Sequence, residues 1–196
     1  FQIQRETIQV EELPNRIDTR NNRSQLDGLE GGLDAAGGIT EVARKTQKLL
    51  IESVENSVER IKGLTNLQKG NYGEMKMDDF FESQGYNRIS IDRVVDLNEP
   101  IHQGIDGVYY NPDGHPPYII GEAKYGTSKL STLADGTPQM SDKWIIERLE
   151  DAVGEEMANN IKMEMIFNRD NVGSFLVQIS TEGNVNITEL VDGVKQ

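Results

Sequence analysis

The chain has 196 residues, with 20 Lys and Arg against 33 Asp and Glu, which gives a formal net charge of −13 at pH 7. An acidic surface repels phosphate backbones at long range, so this balance excludes a broad, nonspecific coat of nucleic acid. The sequence contains no cysteine, which excludes a disulfide framework and a thiolate metal site. It also has no apolar run near the roughly 20 residues of a membrane helix, so no membrane span is predicted.

The first 70 residues are predicted to form a weakly structured segment, one helix and a linker. Residues 1–38 are rich in Asn, Asp and Gly and bury too little apolar surface to offset the entropy of ordering. Residues 1–20 are charged and lack the apolar core of a signal peptide. Apolar side chains near a 3.6-residue period predict a helix over 39–62, with Thr40 as its N-cap. Residues 63–73 have the composition of a linker.

The rest of the chain alternates between predicted helices and strands. A second helix is expected over 72–84, ending at Gly85, and a third over 141–158, with Ser141 as its N-cap. The order of elements, α-α-β-β-β-α-β-β, predicts an α/β (α+β) fold with a mixed central sheet flanked by helices. The strands are expected at residues 87–97, 104–110, 117–125, 174–181 and 184–191.

Three charged side chains interrupt the two apolar strands of the central hairpin. Glu122 and Lys124 are two residues apart, so they point to the same face of their strand. If Tyr110 pairs with Tyr118, then Asp106 pairs with Glu122, and the two carboxyl groups project to one side with Cβ atoms about 5 Å apart. Carboxylates this close repel each other unless a cation lies between them or one of them is protonated.

A divalent cation with oxygen ligands fits this expected geometry, and Mg²⁺ or Mn²⁺ fits it in preference to Zn²⁺. Lys124 would then stabilise negative charge on a phosphate or help to position the attacking water. The alternative is that Glu122 and Lys124 are ordinary charges at a solvated strand edge. The adjoining apolar sequence YIIG favours a functional site, because charges that enter such a strand without a purpose are costly.

A third acid, Glu74, lies on the helix predicted at 72–84. It shares a face with Met77 and Phe81, at spacings of three and four residues, and this face is expected to be buried. Asn71 and Glu74 also match an Asn-x-x-Glu capping box, which gives Glu74 an alternative role. The two roles are compatible, since a helix that starts near the sheet would place Glu74 beside the metal.

The ordered set of a helix acid, a strand Asp and a Glu-x-Lys motif resembles the PD-(D/E)xK nuclease superfamily. The resemblance covers about residues 71–190 and implies the restriction-endonuclease-like fold, preceded here by an extra N-terminal helical segment. It also implies the role of each matching residue. By this resemblance, the metal would be bound by Asp106, Glu122 and the Ala123 carbonyl. Lys124 would hold or activate the attacking water, and Glu74 would support the metal directly or through water.

A second resemblance concerns the setting of this motif. The downstream sequence TPQMSDKWIIERL and the preceding helical segment resemble nuclease domains at the C-termini of bacterial polymorphic and contact-dependent inhibition toxins. The resemblance implies a toxin that is secreted or delivered as part of a larger protein and cuts DNA or tRNA in the cytoplasm of a competing cell, with DNA favoured. It also implies a cognate immunity protein, a flexible then helical pre-toxin segment at 1–70 and a nuclease domain at 71–196.

Further polar and aromatic residues are candidates for substrate contacts under this resemblance. Gln139 would contact metal-bound water or phosphate, or it is an ordinary loop amide. Trp144 would stack on a base, or it packs in the core with apolar neighbours at helical spacing. Three cations would line a local phosphate path, or they are solvated side chains without such a role: Lys129, Lys143 and Arg148.

Two other functional classes fit parts of the sequence. Residues 71–196 have a net charge of −12 and residues 1–70 a net charge of −1, so a noncatalytic module with an acidic interaction face is one alternative. A nuclease of the histidine-metal type would depend on His102 and His115, but neither lies in a ββα-metal pattern. An acidic nuclease is expected to recognise its substrate through a local patch, or to bind weakly at physiological salt.

Overall fold

A computed structural model of the chain describes residues 33–101 and 103–196, with side chains from Thr40 onward. The chain divides after Glu41, and the compact unit that begins at Val42 carries the sheet and the candidate site. The sequence predicts that residues 1–38 are weakly structured. Residues 1–32 lie outside the described residues, and the chain is helical from Leu33.

The described residues form six helices, a 3₁₀ turn at Arg169–Asn171 and six strands. None of these helices is long and apolar enough to cross a membrane. The helices are α1 (Leu33–Glu55), α2 (Val58–Gly63), α3 (Asn66–Ser83), α4 (Asp142–Ile146), α5 (Leu149–Val153) and α6 (Glu155–Phe167). The strands are β1 (Asn87–Arg88), β2 (Gly107–Tyr110), β3 (Tyr118–Tyr125), β4 (Val172–Ile179), β5 (Val185–Val191) and β6 (Val194–Lys195).

The six strands make one mixed sheet in the order β1-β2-β3-β4-β5-β6. Neighbouring strands are antiparallel except β3 and β4, which are parallel. Parallel neighbours need a long crossover connection, and the chain supplies it with α4, α5 and α6. The predicted combination of a mixed sheet and helices is therefore confirmed as a mixed α+β architecture.

The two faces of the sheet pack against different hydrophobic clusters. Ile119 and Ile120 are adjacent in β3, and because side chains alternate along a strand they enter opposite clusters. The cluster on the α3 face also contains Ile51 and Val54 of α1. Residues of α1 from Val42 onward thus belong to the same compact unit as the sheet.

Helix α3 lies along β3 and runs in the opposite direction. A Cβ atom built at Gly73 would lie 3.7 Å from the Ala123 Cβ, and one built at Gly121 would lie 2.7 Å from the Met77 Sδ. Four helical residues rise about 6 Å and two strand residues rise about 6.7 Å, so successive helical turns meet alternate strand residues. Gly121 allows Met77 to approach the strand backbone closely, which sets α3 against the strand that carries the Glu-x-Lys motif.

Helix α3 begins earlier than the sequence predicted. It starts at Asn66 rather than near residue 72, so the predicted linker at 63–73 is wrong over most of its length. A capping box defines the start, because Thr65 Oγ1 accepts from the Gln68 N–H at 3.2 Å and Gln68 Oε1 accepts from the Thr65 N–H at 3.0 Å. This capping signal is visible in the sequence, because Thr65 lies six residues before Asn71, the cap that the sequence predicted.

The predicted capping box of Asn71 and Glu74 is wrong, because both residues lie inside α3. Asn71 Nδ2 instead donates to the carbonyl oxygens of Leu97 and Glu99, each at 2.9 Å. Asn71 therefore anchors the irregular chain that follows β1, and Glu74 has no capping role.

Both long helices of the sequence prediction are interrupted. The helix expected over 39–62 divides into α1 and α2 at Ser57, whose Oγ accepts the Arg60 N–H at 3.3 Å and caps α2, while Thr40 lies inside α1 rather than at its cap. The helix expected over 141–158 divides into α4, α5 and the start of α6. Gly154, with a φ of 78°, separates α5 from α6, because a helix cannot continue through a left-handed residue.

The strand predicted at 87–97 is confirmed only for β1. The Ile89 N–H still donates to the Val108 carbonyl at 2.8 Å, but the Ile91 N–H donates to the Ala152 carbonyl of α5 at 2.9 Å. The chain therefore leaves the sheet after β1, although its apolar and polar residues alternate. The other predicted strands lie within three residues of the observed bounds, and β6 is an addition.

A buried polar network joins α1, α3, β1 and β2. The Asp78 carboxylate is fully buried and accepts from Arg88 Nη1 at 2.6 Å, Tyr109 Oη at 2.6 Å and Gln47 Nε2 at 2.7 Å. A buried carboxylate is tolerated when a cation and hydrogen-bond donors surround it, as they do here. Asp78 therefore holds together four elements that the chain brings from distant positions.

Replacing Asp78 by alanine is expected to destabilise the fold by about 3–5 kcal/mol, because Arg88 would be left as an unpaired buried charge. The control is Asp79→Ala, the neighbouring acid, which pairs with Lys48 at 3.9 Å near the surface and should cost below about 1 kcal/mol. Urea unfolding followed by circular dichroism measures both. Equal losses in the two variants would show that the Asp78 network does not support the fold.

Candidate functional site

The pairing predicted for the central hairpin is confirmed, since Tyr110 lies opposite Tyr118 in the β2–β3 ladder. The ladder extends as far as Gly107, the first residue of β2. One further step in the same register places Asp106 opposite Glu122. The two acids therefore meet where regular pairing between the strands stops.

The Asp106 carboxylate takes over the place of a backbone partner at this point. Its Oδ2 accepts the Ala123 N–H at 2.9 Å, beyond the last paired residue of β2. In a strand, the N–H and C=O of one residue point toward the same neighbour, so the Ala123 carbonyl lies along the edge that Asp106 occupies. Asp106 and the Ala123 carbonyl therefore present oxygen atoms on one edge of β3.

Glu122 is buried, with 2% of its surface exposed. Its Oε1 accepts from Lys124 Nζ at 2.5 Å and from Gln139 Nε2 at 2.5 Å. Its Oε2 is buried and accepts no hydrogen bond from the described residues. One oxygen of this carboxyl group is thus fixed by two donors, and the other is left as a candidate ligand atom.

The Asp106 and Glu122 carboxyl groups influence each other electrostatically. Burial raises the pKa of both groups, and the charge of Asp106 raises the pKa of Glu122 further. Lys124 acts against both shifts, because its positive charge favours the ionised carboxylates. Both acids therefore bind protons more readily than ordinary carboxyl groups, and a bound cation would compete with those protons.

Glu74 approaches the same carboxyl groups from α3. Burial raises its pKa to about 9, and the charges of Asp106, Asp78 and Glu122 add to the shift, while Arg88 opposes it. The electrostatic influence of Asp106 and Glu122 on Glu74 indicates that α3 carries this acid into their neighbourhood. The role of Glu74 beside a metal stays a prediction.

Lys124 supplies positive charge to the group of acids. Burial lowers the pKa of its ammonium, but Glu122 and then Asp106 and Glu74 raise it by more, so the pKa lies above its ordinary value. The side chain is therefore a cation at neutral pH. It is 19% exposed, so it borders solvent while it contacts the buried Glu122.

Gln139 reaches the site from the loop before α4. Besides donating to Glu122, its Oε1 accepts from the Ser131 N–H at 3.0 Å and from Ser131 Oγ at 3.2 Å. Both ends of the amide are therefore engaged, which fixes its orientation. Gln139 is more than an ordinary loop amide, because it holds a carboxyl group of the candidate site in place.

The donor atoms suit a hard divalent cation. Two carboxylates, with Glu122 Oε2 as a buried oxygen of one of them, and a backbone carbonyl provide oxygen ligands of the kind that Mg²⁺ and Mn²⁺ prefer. Among the described residues, no three His, Cys, Asp or Glu side chains form a group that could hold a metal ion. Asp106, Glu122 and the Ala123 carbonyl thus fit the chemistry of such a cation, while Asp106 accepts the Ala123 N–H and Glu122 accepts from Lys124.

The residues predicted to contact substrate are placed differently. Trp144 is buried in the core of the α4–α6 face, with the Arg148 guanidinium 4.6 Å from its ring centre, which agrees with its alternative role in the core. Lys143 Nζ pairs with Asp135 at 3.1 Å on the surface. Lys129 is exposed in the loop before α4. The structure therefore brings Gln139 to the acids and leaves Trp144 inaccessible for base stacking.

The histidines do not join this site. His115 is exposed in the β2–β3 loop, at the opposite end of the hairpin from Asp106, and His102 lies outside the described residues. A histidine-metal nuclease would require both residues to face one metal. The described part of the chain offers only His115 for it.

Sequence reasoning missed two residues that support the site, Asp78 and Arg88. Arg88 Nη2 donates to the Asp106 carbonyl at 2.9 Å, while its Nη1 contacts Asp78. An acid beside Met77 on the apolar face of α3 was a usable signal for a buried partner. Arg88 had no such signal, because it occupied a polar position in the predicted strand.

No protein-family model, curated protein or solved structure matches this chain. The case for a function therefore depends on the contacts of its own residues, above all the grouping of Asp106, Glu122 and Lys124 at the end of β2.

Proposed function

We propose that this chain is a metal-dependent nuclease that hydrolyses phosphodiester bonds. One observation carries the proposal: Asp106 and Glu122 lie in register at the end of the β2–β3 ladder, with Lys124 Nζ 2.5 Å from Glu122 Oε1. A fold that only needed to be stable would gain little from this cluster, because buried like charges repel each other. Glu74, brought from a different element, adds a third acid to the same place.

Asp106, Glu122 and the Ala123 carbonyl would hold Mg²⁺ or Mn²⁺, and Glu74 would support the ion directly or through water. The bound ion would polarise the scissile phosphate and favour ionisation of the attacking water. Both carboxylate ligands on the hairpin are held by the fold, since the Ala123 N–H fixes Asp106 and the Gln139 amide fixes Glu122. Such fixed partners orient ligands before the cation binds.

Lys124 performs the second task of the site. Its ammonium lies beside Glu122 and borders solvent, where it would position the attacking water and offset negative charge on the phosphate. Phosphodiester hydrolysis depends mainly on such positioning and charge stabilisation. Lys124 therefore serves as a fixed positive charge beside the acids.

DNA is the favoured substrate, and tRNA is the alternative. Both follow from the resemblance to toxin nucleases, as do delivery within a larger secreted toxin, action in the cytoplasm of a competing cell and a cognate immunity protein. Charge supports a local rather than an extended contact with nucleic acid, because the chain has a net charge of −13. A short segment of backbone beside Lys124 and Lys129 fits this restriction.

The purified chain is expected to cut plasmid DNA or total tRNA when Mg²⁺ or Mn²⁺ is present, and EDTA should abolish the cleavage. Asp106→Ala and Lys124→Ala should each lower the rate by about 100-fold or more, because each removes a charge that acts on the reacting phosphate. Gel electrophoresis of the two substrates in parallel measures the rates and identifies the preferred nucleic acid.

Matched controls are Asp113→Ala, an exposed acid in the β2–β3 loop, and Lys195→Ala, an exposed cation in β6. Both should cut at the wild-type rate. A wild-type protein that cuts neither substrate with any divalent cation contradicts the proposal. Normal cleavage by Asp106→Ala would show that this acid pair has no role in the reaction.

The acid pair also predicts an unusual dependence of stability on pH. Without a cation, Asp106, Glu122 and Glu74 have pKa values above their ordinary 3.8 and 4.5, with about 9 for Glu74. The folded state then binds protons that the unfolded state has released, so their contribution is full below about pH 4 and falls as pH rises through the folded pKa values. Glu122→Gln, which has no carboxyl proton to lose, should gain Tm relative to wild type between pH 5 and pH 8 in EDTA.

Mn²⁺ should make the wild type more stable than Glu122→Gln. A Mn²⁺ concentration of 100 times the Kd should stabilise the wild type by about 2.7 kcal/mol and Glu122→Gln by much less. Differential scanning fluorimetry across pH, with and without Mn²⁺, measures both effects. Parallel pH profiles of the two proteins, or equal stabilisation by Mn²⁺, would contradict a cation site at Glu122.

A further inference from the structure

The position of Asp106 is a structural problem in itself. It precedes β2, so no residue pair of the ladder fixes its backbone. Two contacts of different kinds do so: its Oδ2 accepts the Ala123 N–H at 2.9 Å, and its main-chain carbonyl accepts from Arg88 Nη2 at 2.9 Å. The first contact requires the carboxyl group to be in place already, whereas the second acts on the backbone that carries it.

Arg88 is well suited to fix that backbone. Its side chain is 2% exposed, and its guanidinium donates to Asp78 Oδ1 at 2.6 Å and to the carbonyls of Asp106 and Asp92. A guanidinium is planar and presents its donors in a rigid fork, so fixing one end fixes the direction of the other. The position of the Asp106 carbonyl is thus tied to the position of Asp78.

Asp78 is itself held on several sides. Tyr109 Oη donates to it from β2 at 2.6 Å and Gln47 Nε2 from α1 at 2.7 Å. The ring of Tyr109 also lies against Gly107, since a Cβ built there would be 2.5 Å from the tyrosine oxygen. The network therefore connects the helix α3, which carries Glu74, to the first residues of β2, which follow Asp106.

We propose that Arg88 is a positioning residue that fixes the Asp106 backbone, and through it the Asp106 carboxyl group, at the end of β2. Its effect on catalysis rests on the proposed nuclease function, but its effect on the position of Asp106 does not. The competing explanation is that Arg88 only neutralises Asp78 and stabilises the fold. The two explanations differ in what a substitution does to the Asp106–Ala123 contact.

Arg88→Lys separates them. Lysine retains the positive charge beside Asp78, but its single ammonium cannot reach Asp78 and the Asp106 carbonyl in the fork geometry of arginine. The exchange of the Ala123 amide hydrogen should then accelerate by about tenfold or more relative to the Ile119 amide of the same strand, because its acceptor is no longer held. Hydrogen exchange followed by NMR measures this without any metal or substrate.

The matched control is Arg93→Lys. Arg93 belongs to the same network, through Gln47 at 2.7 Å, Glu82 and Asp78 at 3.9 Å, and lacks the described contact between Arg88 and Asp106. It should lose stability while the ratio of Ala123 to Ile119 exchange stays at the wild-type value. An equal change of this ratio in both variants, or no change in Arg88→Lys, overturns the proposal.

A second variant guards against misfolding of Arg88→Lys. Arg88→Met combined with Asp78→Leu removes the buried ion pair as a unit, which proteins often tolerate. It also removes the contact with Asp106, so fast exchange at Ala123 is again expected. Slow exchange in a folded double variant would show that Asp106 needs no help from Arg88.

The consequence for the site is measured on the same proteins. Arg88→Lys should weaken Mn²⁺ binding in calorimetry and lower kcat by about 10- to 100-fold each, with KM for nucleic acid within about twofold, as for other groups that orient a ligand. If the wild type neither binds Mn²⁺ nor cuts, the nuclease proposal fails, and the exchange ratio alone decides the role of Arg88. If Arg88→Lys shows fast Ala123 exchange but binds Mn²⁺ with wild-type affinity, Arg88 positions Asp106 only in the metal-free protein. The proposed effect of Arg88 on catalysis would then be wrong.

Discussion

The repulsion between two carboxyl groups is the constraint on which the site depends. Asp106 and Glu122 lie against each other where the β2–β3 ladder ends, and both are held there by donors from other elements. Burial raises the pKa of both acids and the charge of Asp106 raises that of Glu122 further, while Lys124 acts against both shifts. Such an arrangement costs stability in the protein alone and would become favourable with a bound cation, which is why we propose a function for it.

A second group of buried charges adjoins the first and stabilises the fold. Asp78 and Arg88 are buried and hydrogen bonded to each other, and they connect α1, α3, β1 and β2 around the backbone of Asp106. The two groups are distinct in chemistry. The Asp78 network has a cation and donors for its buried carboxylate, whereas the Asp106 pair retains a buried oxygen, Glu122 Oε2, without a described donor. This difference separates the part that stabilises from the part that is available for chemistry.

Helix α1 belongs to this arrangement as well. Gln47 donates to Asp78, and Ile51 and Val54 lie in the hydrophobic cluster on the α3 face. Residues that read as a segment before the domain therefore contribute to its core and, through Asp78 and Arg88, to the surroundings of the site. Under the proposed function, the acidic net charge of the chain would restrict contacts with nucleic acid to the neighbourhood of Lys124, where positive charge meets solvent.

The sequence by itself determined the hairpin register and the strand that carries Glu122 and Lys124. These follow from local rules: side chains alternate along strands, and a turn of known length sets which residues pair. The Thr65–Gln68 capping box that starts α3 is local as well. Only the tertiary structure decided that the chain leaves the sheet after β1 and that Arg88 reaches Asp106. Those outcomes depend on contacts between distant residues, such as Ile91 with Ala152, whose free energy outweighs local preference and leaves no periodic signal in the sequence.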